Sequence, residues 1–156
     1  MIRPCRPEDV EPILTIWLTA SIRAHHFVDP SFWKSRLDAM RDTYLPASQT
    51  WVYEREGSIQ GFVSLVDQVL AAIFVLPAVQ GSGIGSALIE HAKTQRDYLQ
   101  LNVYTENTAS IAFYRRHGFE SLADGYDEHT GHAEMTMAWR REKECQLSGT
   151  VSSASS

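Results

Sequence analysis

The stretch Gln80-Gly81-Ser82-Gly83-Ile84-Gly85-Ser86 has the residue types and spacing to hold a charged ligand. Its three glycines stand directly before a segment in which Ile84, Leu88 and Ala92 recur four apart, as on one face of an amphipathic helix. Glycine adds no side chain, so the N–H groups from Gly81 to Ser86 are left uncovered, and at a helix start they reinforce its positive end. Such a loop is a receptacle for phosphate or pyrophosphate.

The element that must position this loop precedes it. Leu70 to Leu76 is an apolar run long enough for one buried strand and too short for a self-standing helix. Pro77 removes a backbone donor and biases Leu76 toward an extended conformation, so the strand should stop there. No lysine follows the glycines, which excludes a Gly-Lys-Ser/Thr P-loop. A dinucleotide fingerprint is nearer, because Gly81-x-Gly83-x-x-Ser86 differs from it by one residue and Glu106 stands where a ribose-binding acid would fall. Against it, Pro77 to Gln80 intervene between strand and glycines, and too little chain follows for a second nucleotide-binding half. It remains the minor alternative.

The segment resembles the acetyl-CoA-binding motif of the GNAT superfamily of N-acetyltransferases, Q/R-x-x-G-x-G/A, onto which Gln80, Gly83 and Gly85 fall. A second motif of that family follows in Asn107-Thr-Ala-Ser-Ile-Ala-Phe-Tyr114-Arg-Arg-His-Gly118-Phe119. The resemblance implies an α/β fold with a bent mixed sheet, splayed at its middle, and helices on both faces. It implies acetyl-CoA as co-substrate, an amine-bearing acceptor and no metal. The unpaired edge of Ile73-Phe74-Val75 would bond the pantetheine arm as another strand would, with the Val75 amide facing the oxyanion. Gln80, Gly81, Ser82, Gly83, Ile84, Gly85 and Ser86 would hold the pyrophosphate, and Asn107 would meet the arm while capping its helix. Tyr114 would protonate the departing sulfur: a phenol titrating near ~10 keeps its proton at neutral pH, and a thiol titrates near ~8.5.

A general base is not legible. Several family members carry a glutamate five residues before the asparagine, and here that position is Asn102, which takes no proton. Tyr104, Glu106, His25, His26, Glu54, Asp67 and a water relay all stay open. A CoA-binding module without turnover is therefore the rival to an enzyme. The sequence is similar to a branch of small bacterial members that includes protein-lysine acetyltransferases, but small amines and peptide N-termini remain open as acceptors. His129-x-x-His132 lacks a third ligand in register and is expected to be a solvated turn.

The chain sets the outer bounds. Its 156 residues suit one domain, expected over residues 1–140, with residues 141–156 a polar tail expected to be disordered. A net charge of −5 argues against general nucleic-acid binding and suits a cationic acceptor. No apolar run approaches the ~20 residues of a membrane span, and charges interrupt the N-terminus before a signal sequence can form. Cys5 and Cys145 read as free thiols of a reducing cytoplasm.

The remaining elements follow from local pattern. Met1 to Arg6 is expected as an edge strand. A helix starts at Pro7-Glu8-Asp9, and a second runs from Ser31 to Leu45, ended by Pro46. Thr50 to Glu54 and Ile59 to Val66 form a hairpin about Glu56-Gly57-Ser58, with Gly61 marking a bulge or close approach. Tyr98 to Tyr104 is a strand, Thr108 to His117 a helix capped by Gly118, and Glu120 to Ala123 with Ala133 to Trp139 a final hairpin. Trp17 and Trp33, on the first two helices, could line an acceptor site.

Overall fold

The computed structural model describes residues 1–141. The strands are β1 (Ile2–Pro4), β2 (Gln49–Arg55), β3 (Ser58–Val66), β4 (Val69–Val75), β5 (Tyr98–Tyr104), β6 (Glu120–Tyr126) and β7 (Ala133–Arg140). They form one sheet in the order β1-β2-β3-β4-β5-β7-β6, and every neighbouring pair is antiparallel except β4 with β5. The expected tail, with Cys145, falls on residues outside those described, apart from Arg141. That residue is tied to the body: its Nε donates to Asp97 Oδ1 at 2.9 Å.

Two apolar clusters sandwich the sheet. On one face α1 (Val10–Ala24) presses Ile13, Leu14, Ile16 and Trp17 against Val52, Phe62 and Ala72. On the other, α4 (Ile84–Gln95) presses Ile84, Leu88, Ile89 and Ala92 against Val63, Leu65, Leu99 and Leu101. Fully burying one such Leu or Ile is worth about 1.5–3 kcal/mol, so these two helices and the sheet cannot part cheaply. Gly61 lets α4 come this close. A Cβ there would lie 3.0 Å from the Phe74 carbonyl oxygen and 3.1 Å from Leu88 Cδ1. The pairing also shifts register beside it, between Tyr53 and Glu54, so Gly61 marks both a bulge and a close approach.

The expected helix from Ser31 to Leu45 is broken. It forms α2 (Pro30–Ser35) and α3 (Leu37–Ala39), then widens into a π-type stretch from Met40 to Tyr44, in which Leu45 N–H bonds Met40 C=O at 3.0 Å. Met40 and Leu45, five apart, are both buried. An α-helical period would turn them to different faces, and the wider turn brings both inward. Pro30 occupies the first position of α2, and Asp29 caps it by accepting the Ser31 N–H at 2.8 Å.

Pro7–Asp9 is a short 3-10 turn, and Asp9 does more than complement a helix end. Its buried carboxylate accepts from Arg3 Nη1 at 2.7 Å and from the Arg6 N–H at 2.7 Å, while Arg3 Nε also binds Glu54 Oε1 at 2.5 Å. The bond from Arg3 is the main cause of Asp9's lowered pKa. A carboxylate depressed in the folded state stabilises fully above its unfolded pKa and loses that contribution as pH falls through the folded value. Asp9→Ala should cost about 3 kcal/mol, roughly 10 °C in Tm at neutral pH, by leaving Arg3 half-partnered. The difference from the parent protein should shrink below about pH 4, as thermal melts across pH will show.

Candidate active site

β4 and β5 touch through a single bridge, Val69 opposite Gln100, with Gln100 N–H donating to Gln68 C=O at 2.9 Å. Beyond it they diverge. On its other side β4 stays paired to β3, but Ala71 has no partner there: Ser64 faces Ala72 and Leu65 faces Leu70. That bulge resets the alternation of β4. Leu76 N–H donates to Gln60 C=O on β3 at 2.9 Å, so the N–H groups of Ile73 and Val75, odd-numbered along the ladder, point away from β3 into the gap.

The gap opens into a cleft of about 890 Å³. Ile73, Phe74, Val75, Gln80, Gly81, Gly83, Gly85, Ser86, Asn107 and Tyr114 all line it. Ser82 and Ile84 do not. The Ser82 hydroxyl turns back to the Val79 carbonyl at 2.5 Å, and the Ile84 side chain is buried against β3 and β5, leaving only its amide for the loop. Phe74 differs from its neighbours, since its N–H faces β3 and its ring packs on Phe62 at 5.8 Å. Gln80 closes the end of the strand, donating from Nε2 to the Val75 carbonyl at 3.1 Å.

Gly83 is the N-cap of α4 with φ 90°, a left-handed conformation that glycine adopts without penalty, and it has no side chain with which to cap the helix. The first-turn amides are thus left for a ligand. Ser86 Oγ lies 3.1 Å from His117 Nε2, and His117 Nδ1 lies 2.8 Å from Glu90 Oε2, a chain tying α4 to the end of α5 (Thr108–Arg116). Gly118 follows at φ 90°. Asn107 caps α5, its Oδ1 accepting the Ser110 N–H at 3.2 Å. Its Nδ2 therefore faces His25 Nε2, 3.3 Å away. Tyr114, half-buried, makes no hydrogen bond from its hydroxyl within the described residues, and burial raises its pKa.

Among the open candidates for a base, Glu54 is spent on Arg3 and Asp67 sits in the β3–β4 turn at φ 52°, and neither lines the cleft. Asn102 lines it, with Oδ1 accepting from Thr136 Oγ1 at 2.8 Å. His25, His26, Tyr104 and Glu106 line it too. His25 was the least legible of these, since a histidine after a helix gives no hint that tertiary packing will set it between Asn107 and Trp33, whose ring centroid is 5.2 Å away.

A second cavity of about 390 Å³ lies across the splay, walled by Trp17, Phe32, Trp33 and Tyr44. It shares Ala71, Ala72 and Tyr104 with the cleft. Of the loop histidines, His129 lines it and His132 packs on Phe27 at 5.0 Å. No group of three or more His, Cys, Asp or Glu able to hold a metal occurs among the described residues.

Residues 46–121 match the family model of an acetyltransferase (GNAT) domain. The chain is 34% identical over 140 residues to the peptidyl-lysine N-acetyltransferase YiaC of Escherichia coli strain K12, covering 89% of this chain and 96% of that protein. The chain belongs to the GNAT family of acetyltransferases. The solution structure of apo-form YjaB from Escherichia coli superposes with a TM-score of 0.79 at 28% identity, over 91% of this chain and 98% of that one. The fold is shared more distantly with the PaiA N-acetyltransferase of Thermoplasma acidophilum in complex with coenzyme A, with a TM-score of 0.74 at 14% identity over 90% and 98% of the chains. The protein is thus an N-acetyltransferase with a mixed seven-stranded sheet, as its motifs implied.

His25 reports on the packing of this site. Burial, opposed by the Ser21 carbonyl, lowers its pKa to about 4. The folded protein then binds its proton later than the unfolded chain, so stability should be complete above about pH 6.5 and fall between pH 6.5 and 4. The loss is on the order of 3 kcal/mol. Melts of the parent and of His25→Phe should differ in pH slope inside that window and run parallel above it.

Proposed function

We propose that the protein moves the acetyl group of acetyl-CoA directly to a primary amine, with a lysine side chain of a protein as the favoured acceptor. The observation that carries this reading is the convergence of three features on one cleft: outward Ile73 and Val75 amides, the first turn of α4 behind its glycine cap, and a Tyr114 hydroxyl that makes no hydrogen bond among the described residues. The 34% identity to a peptidyl-lysine N-acetyltransferase supports the acceptor class. So does the aromatic second cavity, whose walls suit the alkyl stem of a lysine.

In this reading the α4 amides receive the pyrophosphate and the pantetheine amides pair with β4. The acetyl carbonyl then lies toward the Val75 N–H, which stabilises the oxyanion as the amine attacks. Tyr114, holding its proton because burial disfavours the phenolate, donates it to the sulfur as the C–S bond breaks. The amine enters from the second cavity, so acyl donor and acceptor meet at Ala71, Ala72 and Tyr104.

Incubation with acetyl-CoA and a panel of amines, lysine peptides and purified protein, read by thiol release and by mass spectrometry, tests the reaction. Acetyl-lysine is the expected product. CoA bound with no thiol released would favour a binding module instead. Tyr114→Phe should lower kcat by about 100-fold or more while the CoA dissociation constant stays within about twofold. Equal loss of binding and turnover would remove the acid role from Tyr114.

A further inference from the structure

The position where several family members carry a glutamate is Asn102, and its side chain is engaged by Thr136. His25 is not free to replace it: Asn107, fixed by its bond to Ser110, directs its amide hydrogens at Nε2. Glu106 and His26 line the cofactor cleft alone. Tyr104 is the titratable residue common to both cavities, and so stands where an entering amine meets the acyl group.

The tyrosine is held firmly. Its ring packs edge-on against His25 at 5.0 Å and Phe27 at 5.4 Å. Its hydroxyl donates to Asp127 Oδ2 and accepts a long bond, 3.4 Å, from Thr130 Oγ1. The other oxygen of Asp127 accepts the His129 N–H at 2.8 Å. Burial first, and then the bond to Asp127, raise the Tyr104 pKa. Burial would raise that of Asp127, but the bonds from Tyr104 and the His129 N–H outweigh it. The dyad therefore rests as phenol and carboxylate, with a phenol lone pair still able to accept an N–H.

We propose that Tyr104 and Asp127 take the proton of the attacking amine, Tyr104 as a catalytic residue and Asp127 as the positioning residue that receives the proton through it. The proposal rests on the acetyl-transfer reading above. The neutral amine forms the C–N bond and the carbonyl pair moves to oxygen. The N–H bond of the adduct then breaks toward Tyr104 Oη while the phenol proton passes to Asp127 Oδ2. As the carbonyl re-forms, the C–S bond breaks with its electron pair on sulfur, which takes the proton of Tyr114. Asp127, half-exposed, returns its proton to water, and Tyr114 recovers one from water, so the exchange balances.

Steady-state kinetics with acetyl-CoA decide it, using two acceptors: a lysine peptide, and hydroxylamine, whose weakly basic nitrogen sheds its proton to water readily. Tyr104→Phe, which keeps the ring contacts, should lower kcat for the peptide about 100-fold and for hydroxylamine less than about fivefold, with the KM of acetyl-CoA within about twofold. Asp127→Asn should follow with a loss of about tenfold or more, and Asp127→Glu should recover part of it. Equal losses for both acceptors, or a change confined to the peptide KM, would overturn the dyad. If the parent protein is active and Tyr104→Phe matches it, the dyad alone falls. If the parent releases no thiol with any amine, the acetyl-transfer reading fails and the dyad falls with it.

Discussion

The site depends on a sheet that fails to close. β4 and β5 share one bridge, at Val69 and Gln100, and past it the β4 edge has lost its partner strand. Inside a protein, backbone N–H groups without partners are costly, and sheets normally remove that cost by pairing or by exposure to water. Here the edge faces a cleft, which makes it a standing demand for a ligand able to pair as a strand does. The Ala71 bulge decides which amides make that demand, by turning Ile73 and Val75 outward while Phe74 stays bound to β3.

The two helices that flank the splay hold it open from opposite sides. α4 is anchored on one face by Ile84, Leu88 and Ile89, and its start can reach the mouth of the cleft only because Gly61 leaves room beneath it. On the other face α1 buries Ile13, Ile16 and Trp17, and its end delivers His25 to Asn107. The cleft is thus a seam between two cores that share a sheet. Moving either helix would alter the ligand site before it disrupted the sheet, since the interior tolerates little change in spacing.

Polar groups at the seam divide into those consumed by the scaffold and those left over. Gln80 braces the Val75 carbonyl, and Asn107 caps α5 while facing His25. The Tyr114 hydroxyl has no such employment within the described residues. Tyr104 has its proton committed to Asp127 and its ring shared between two cavities. Donors already held in place around one volume can bind and orient a ligand without a reorganisation cost during the reaction.

Much of this was legible from local pattern. The strand-to-glycine-to-helix order, the left-handed cap at Gly118 and the N-cap at Asn107 follow from backbone rules acting over a few residues, whereas Tyr114 was singled out by resemblance to a family motif. The break in the Ser31–Leu45 helix was not, because burying both Met40 and Leu45 depends on a core formed by distant strands. Nor were the roles of Asp9, His25 and Tyr104. Each draws its partner from 6 to 82 residues away, Arg3 for Asp9, Asp127 for Tyr104 and Asn107 for His25. Sequence alone determined where the glycine loop, its strand and its helix lie, since these are short-range consequences of residue shape. Only the tertiary structure decided which amides face the gap and which tyrosine sits between the two cavities, because bulge register and splay are set by packing across the whole sheet.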